Sequence, residues 1–175
     1  MNTTSLVLTV LGPDRPGLVE SLARAVAEHG GNWVESRMAH LAGHFAGILR
    51  VEVDADRASA LAAAVAALGS TGLESLVHPD LAPPAADGPP AVRLELVGAD
   101  RPGIVREISR VLAAQGVNVE ELHTECVAAP TTGQPLFRAA ARLRLPSGVG
   151  AATLRTALEA VAADLMVDVE LIAEG

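Results

Sequence analysis

Two segments of this chain carry the side chains best placed to do chemistry, and they read alike. Asp14-Arg15-Pro16-Gly17 and Asp100-Arg101-Pro102-Gly103 each follow an alternating apolar run and precede an apolar helical pattern. At such a junction the Asp can cap unpaired helix amides, Pro is tolerated in the first turn, and Gly leaves the backbone amides unobstructed. One reading is a well-made helix start. The other is that the free amides and the positive end of the helix receive the carboxylate of a small ligand. Gly30-Gly31-Asn32 and Gly116-Val117-Asn118 follow the same helices. An Asn there either orients a ligand amine or amide, or holds the turn.

Enzymatic readings find little to work with. His123 and Cys126 lie three apart on one strand pattern and so face opposite sides of a sheet, which excludes a nucleophile–base pair. His40 and His44 flank the turn Ala42-Gly43, but two imidazoles without a third ligand make a poor metal site. Glu35 and Glu121 supply one carboxylate per repeat, not the pair that acid–base chemistry needs. All 13 basic residues are Arg, so there is no amine for a Schiff base or a Walker-type phosphate loop. The single Cys allows no internal disulfide and no cysteine-based zinc site. No enzyme activity, cofactor or metal is expected.

The elements that position these residues are also written twice. Residues 11–35 and 97–121 share roughly eleven identical positions, among them Arg24/Arg110, Gly30/Gly116, Asn32/Asn118 and Glu35/Glu121. Repeats of this kind mark duplicated structural units. In each copy a strand (Leu6, Leu8, Val10; Val92, Leu94, Leu96) leads to a helix whose apolar face is Leu18, Val19, Leu22 and Val26, or Ile104, Ile108, Val111 and Leu112. A hairpin follows, Trp33 to Leu41 with Phe45 to Val53, or Val119 to Val127 with Phe137 to Leu145 across a longer loop. A second helix (Ala58 to Leu68; Ala151 to Leu165) then precedes a last strand (Leu73 to His78; Val167 to Ile172). The order βαββαβ predicts an α+β fold, a four-stranded antiparallel sheet with both helices on one face, the ferredoxin-like arrangement, in each of two domains. The domains are read as residues 1–79 and 91–175, with a Pro-rich linker at 80–90.

Aromatic residues make up only 2% of the chain, so Leu and Val, with Trp33, Phe45 and Phe137, must carry the cores. Arg138, Arg142 and Arg144 form an outward stripe on the third strand of the second copy. Pairing with strand neighbours such as Arg93, Glu95, Asp168 and Glu170 accounts for it more simply than an RNA surface does. In the first copy the outward face holds Val7, Leu11 and Ile48, which predicts contact with the other copy or another chain, and a homodimer. A net charge of −8 argues against direct nucleic-acid binding. No apolar run is long enough to cross a membrane, and residues 1–5 carry no export signal, so the cytoplasm is the expected compartment.

Taken together, strand, Asp-Arg-Pro-Gly, apolar helix, Gly-Gly-Asn or Gly-Val-Asn and hairpin resemble the ACT domain, a small regulatory module of amino-acid metabolism. Two copies without a catalytic domain resemble the glycine cleavage system transcriptional repressor family and related tandem proteins. Residues 129–137 followed by 143–146 resemble that family's second hairpin. The resemblance implies a non-catalytic regulator that binds an amino-acid effector, glycine or serine being the natural candidates, between two such domains, and that modulates a protein partner such as a transcription activator. Carried over by position, the ligand contacts are Asp14, Arg15, Gly17 and Asn32 with Asp100, Arg101, Gly103 and Asn118. His123 stands where the first copy has Arg37, so the two sites are not chemically equal. The alternative is a protein-interaction module without a ligand.

Overall fold

The computed structural model describes residues 2–81, 91–130 and 132–173. The chain divides into two compact units, residues 1–82 and 83–175. Residues 82–90, most of the expected Pro-rich linker, lie outside the described residues.

In the first unit β1 (Thr3–Pro13) leads to α1 (Leu18–Glu28), then β2 (Asn32–Leu41), β3 (His44–Asp54), α2 (Ala58–Ala67) and β4 (Glu74–Pro79). The second repeats this order as β5 (Ala91–Ala99), α3 (Ile104–Ala114), β6 (Asn118–Ala128), β7 (Pro135–Arg144), α4 (Ala151–Leu165) and β8 (Val167–Ala173). Each sheet has four strands, ordered β2-β3-β1-β4 and β6-β7-β5-β8, and every pairing is antiparallel. These are two ferredoxin-like α+β units.

Alternation along the strands decides what is buried. Leu8 and Val10 of β1 meet Leu49, Val51 and Val53 of β3 beneath Leu18, Leu22 and Val26 of α1 and Leu61 and Val65 of α2. The second core repeats the scheme with Leu94, Leu96, Ile108, Leu112, Leu143, Leu154 and Leu158. Each such side chain removed from water contributes about 1.5–3 kcal/mol. Two expectations need correction. Val19 is 47% exposed and stands off the buried stripe of α1, although Val111 does join that of α3. Trp33 and Phe45 pack only at the margin of the first core, which Leu and Val fill.

The first hairpin turns through Ala42 and Gly43 at φ of 50° and 80°. Two successive positive φ values match the twist of the paired strands. One feature escapes the period-2 pattern: a β-bulge interrupts β2 between Trp33 and Glu35 and recurs in β6 between Val119 and Glu121. In β6 the extra residue, Glu120, pairs with Arg142 at 3.5 Å and with Arg144. Glu125 pairs with Arg138 at 3.9 Å. The arginine stripe thus finds its carboxylates on β6, and Asp168 and Glu170 are not its partners.

The outer faces of the two sheets differ. Leu11 and Ile48 are each 48% exposed and Leu76 is 64% exposed on the first. The second is charged, with Arg93 bonded to Glu95 at 2.8 Å.

Candidate ligand site at the repeated motif turn

The turn is built the same way in both units, from the end of one strand to the start of one helix. Gly12 and Gly98 come first. A Cβ on Gly12 would collide with the carbonyl oxygen of Gly72, and one on Gly98 would lie 2.9 Å from that of Met166. The strand end and the chain entering the last strand pass too closely for any side chain.

Asp14 then donates its backbone N–H to Gly43 O at 2.9 Å, as Asp100 does to Pro135 O at 3.0 Å, which fastens the hairpin loop to the motif. The Arg that follows reaches across the unit. Arg15 donates to Thr71 O and Arg101 to Asp164 O at 2.8 Å, in each case at the C-terminal end of the second helical segment. A guanidinium there satisfies an orphan carbonyl and meets the negative end of the helix. Both arginines, expected as ligand contacts, are thus clamped to the second helical segment of their own unit.

Gly17 and Gly103 occupy the N-cap positions at φ of 91° and 99°. Their carbonyls accept the first helical bonds, from Ser21 and Glu107, and no heavy atom lies within 4 Å of where their Cβ would be. The space beside each glycine is therefore unfilled among the described residues. Neither helix has a side-chain cap, so Asp14 and Asp100 do not cap as expected.

Their carboxylates turn instead to β2 and β6. Asp14 Oδ2 lies 3.6 Å from His40 Nε2. The Asp100 carboxylate lies close enough to the Cys126 thiol to act on its ionisation. His40 and Cys126 are equivalent, since Phe45 faces the one and Phe137 the other across the hairpin. The motif aspartates thus meet an imidazole in one unit and a thiol in the other. The repeat register carries this signal, because residue 40 of the first copy aligns with residue 126 of the second, just as Asp14 aligns with Asp100. Slight desolvation of the sulfur and the adjacent Asp100 charge push the Cys126 thiol above its usual range.

The remaining expected contacts lie elsewhere. Asn32 pairs with Glu52 and Asn118 with Arg144, at the far ends of β2 and β6, about 25 Å along the strand from the motif turn of the same unit. His123 pairs with Ala140 on the outer face of the second sheet, while Cys126 belongs to the helix side. Among the described residues no group of three or more His, Cys, Asp or Glu could hold a metal ion. No described helix is long and apolar enough to cross a membrane.

Comparison with known proteins places this geometry. Residues 4–71 match the ACT domain model, and the second unit repeats the same motif, clamp and strand order. The first unit is an ACT domain, and the second repeats its fold. Among solved structures, the chain matches a protein of unknown function from Galdieria sulphuraria with 32% identity and a TM-score of 0.85, covering 99% of this chain and 100% of that one. It also matches a structure assigned as a glycine cleavage system transcriptional repressor, at 19% identity and a TM-score of 0.73 with 99% of each chain covered, which speaks to the fold alone. In sequence, the chain is 25% identical over 161 residues to the glycine cleavage system transcriptional repressor of Escherichia coli K12, covering 91% of this chain and 85% of that protein.

Proposed function

We propose that this protein is a non-catalytic regulator that binds a small amino acid at the motif turns and passes its occupancy to a protein partner, in the manner of a regulator of glycine metabolism. The observation that carries this reading is the twofold construction of the turn. Both copies expose the N-terminus of a helix behind a glycine that no neighbour obstructs. The effector carboxylate would sit on the amides beyond Gly17 or Gly103, and its ammonium would be drawn toward the Asp14 or Asp100 carboxylate of the same turn. Asn32, Asn118 and His123 lie apart from these turns, and Arg15 and Arg101 act by holding them in shape.

The likeness to the Escherichia coli repressor supports a role in transcriptional control. A pI near 5.0 favours action through another protein, such as a transcription activator, over direct DNA contact. The apolar outer face of the first sheet is a suitable docking surface for that partner or for a second copy in a homodimer. The working compartment on this reading is the cytoplasm.

Calorimetric titration of the full chain with the common amino acids, glycine and serine first, tests the reading. Heat of binding that falls in Asp100→Asn or Gly103→Val and disappears when the first turn is altered as well, by Asp14→Asn or Gly17→Val, is the expected result, and no binding at millimolar concentration overturns it. A second reading, a protein-interaction module without a ligand, draws on the degree to which the motif is absorbed in structural bonds. It requires that Asn32→Ala, Asn118→Ala and Gly103→Val all leave partner binding unaltered.

A further inference from the structure

The outer face of the second sheet carries a feature that neither motif turn uses. Strands β5 to β8 leave a depression of about 680 Å³ there. The strand register sets its side chains in two rows across the sheet: His123, Ala140, Glu95, Glu170, and beside it Glu125, Arg138, Val97, Asp168. The short side chains of Ala140 and Val97 form the floor between taller charged walls.

These charges are not balanced. Glu95 and Glu170 stand directly opposite one another on β5 and β8. Like charges in that relation destabilise a sheet unless a cation comes between them. Arg93 answers Glu95 at 2.8 Å, but Glu170 and Asp168 form no ion pair among the described residues. On the far wall Arg138 is held only loosely, by Glu125 at 3.9 Å. The depression therefore has two uncompensated carboxylates on one side and a loosely engaged guanidinium on the other, two strand spacings or roughly 10 Å apart at the backbone. The first unit shows none of this, because Arg37, Ile48, Thr9 and Leu76 form the corresponding row.

We propose that this depression binds a free basic amino acid of the arginine or lysine class, with its α-carboxylate on Arg138 and its side-chain cation between Asp168 and Glu170. The length and net positive charge of such a molecule match the spacing and the charge excess. Glycine, with its two charges on adjacent carbons, cannot span the site. The walls are exposed, so binding is weak and falls with added salt. The site does not depend on the motif turns.

The test is titration of the full chain with L-arginine, L-lysine, agmatine and glycine, read by calorimetry and by amide chemical shifts. Wild type is expected to bind arginine and lysine at millimolar concentration with shifts centred on Ala140 and Glu170. The double variant Asp168→Asn/Glu170→Gln weakens this at least about tenfold. Arg138→Gln weakens arginine but leaves agmatine, which lacks the carboxylate, unchanged. Gly103→Val leaves arginine binding intact, whatever it does to glycine, so the two sites are read separately. No arginine or lysine binding, equal binding in the double variant, or loss of arginine binding in Gly103→Val would each overturn the proposal.

Discussion

Asp100 and Cys126 show how one carboxylate can set the behaviour of a neighbouring group. A thiol whose pKa is raised has a smaller thiolate fraction at every pH near neutrality, and the thiolate is the nucleophile. Iodoacetamide should therefore alkylate Cys126 more slowly than a free cysteine at pH 7.5, although the residue is exposed. Replacing Asp100 by Asn removes the charge beside the thiol, returns the pKa downward and should speed alkylation; an unchanged rate would refute the contact. Arg101 makes a different kind of prediction. Its bond to Asp164 O is charge-assisted but lies at the surface. Arg101→Ala should cost about 1 kcal/mol in urea unfolding, with Arg101→Lys recovering part of it because an amine can reach the same carbonyl. Gly98→Ala should cost more, since its Cβ has backbone to displace.

At the scale of elements, α1 separates residues that look equivalent in the sequence. Leu22 is fully buried and Val19 is not. Leu22→Ala should lose about 2–5 kcal/mol and Val19→Ala less than about 0.5 kcal/mol, measured by chemical denaturation. The helices, strands and their order were legible because apolar spacing reports directly on burial. Both helix N-termini could be placed for the same reason, although the cap is Gly and not Asp. The clamps were not legible. Arg15 and Thr71 are brought together by the sheet and the second helix, and no local pattern encodes a bond between residues so distant in sequence. The bulges were missed because a single inserted residue leaves composition unchanged. They also explain why Glu120 lies between two arginines that simple alternation would have assigned to other partners.

The whole chain holds two copies of one design whose outer faces have diverged, one apolar and one charged. Each unit closes its own sheet and fills its own core. A polypeptide of residues 91–175 should accordingly fold alone with a mixed α/β circular dichroism spectrum and a cooperative thermal transition; a random-coil spectrum would contradict the division. The duplicated construction of the motif turns was legible at this scale, and the position of the Asn residues relative to them was not. The repeat pointed to the turns and to the Asn residues alike, and the register places Asn32 and Asn118 at the other end of each unit.

The bulge in β2 and β6 also acts as a phase reverser. Trp33 and Glu35 are two apart and would share a face in a regular strand, yet their partners Val51 and Arg50 are consecutive and point to opposite sides. Everything after the extra residue is therefore in antiphase with what precedes it. That reversal brings His40 and Cys126 round to the motif aspartates and turns Arg37 and His123 outward. A polar function at one end of the strand and a packing function at the other are thus accommodated in a single segment by one surplus residue.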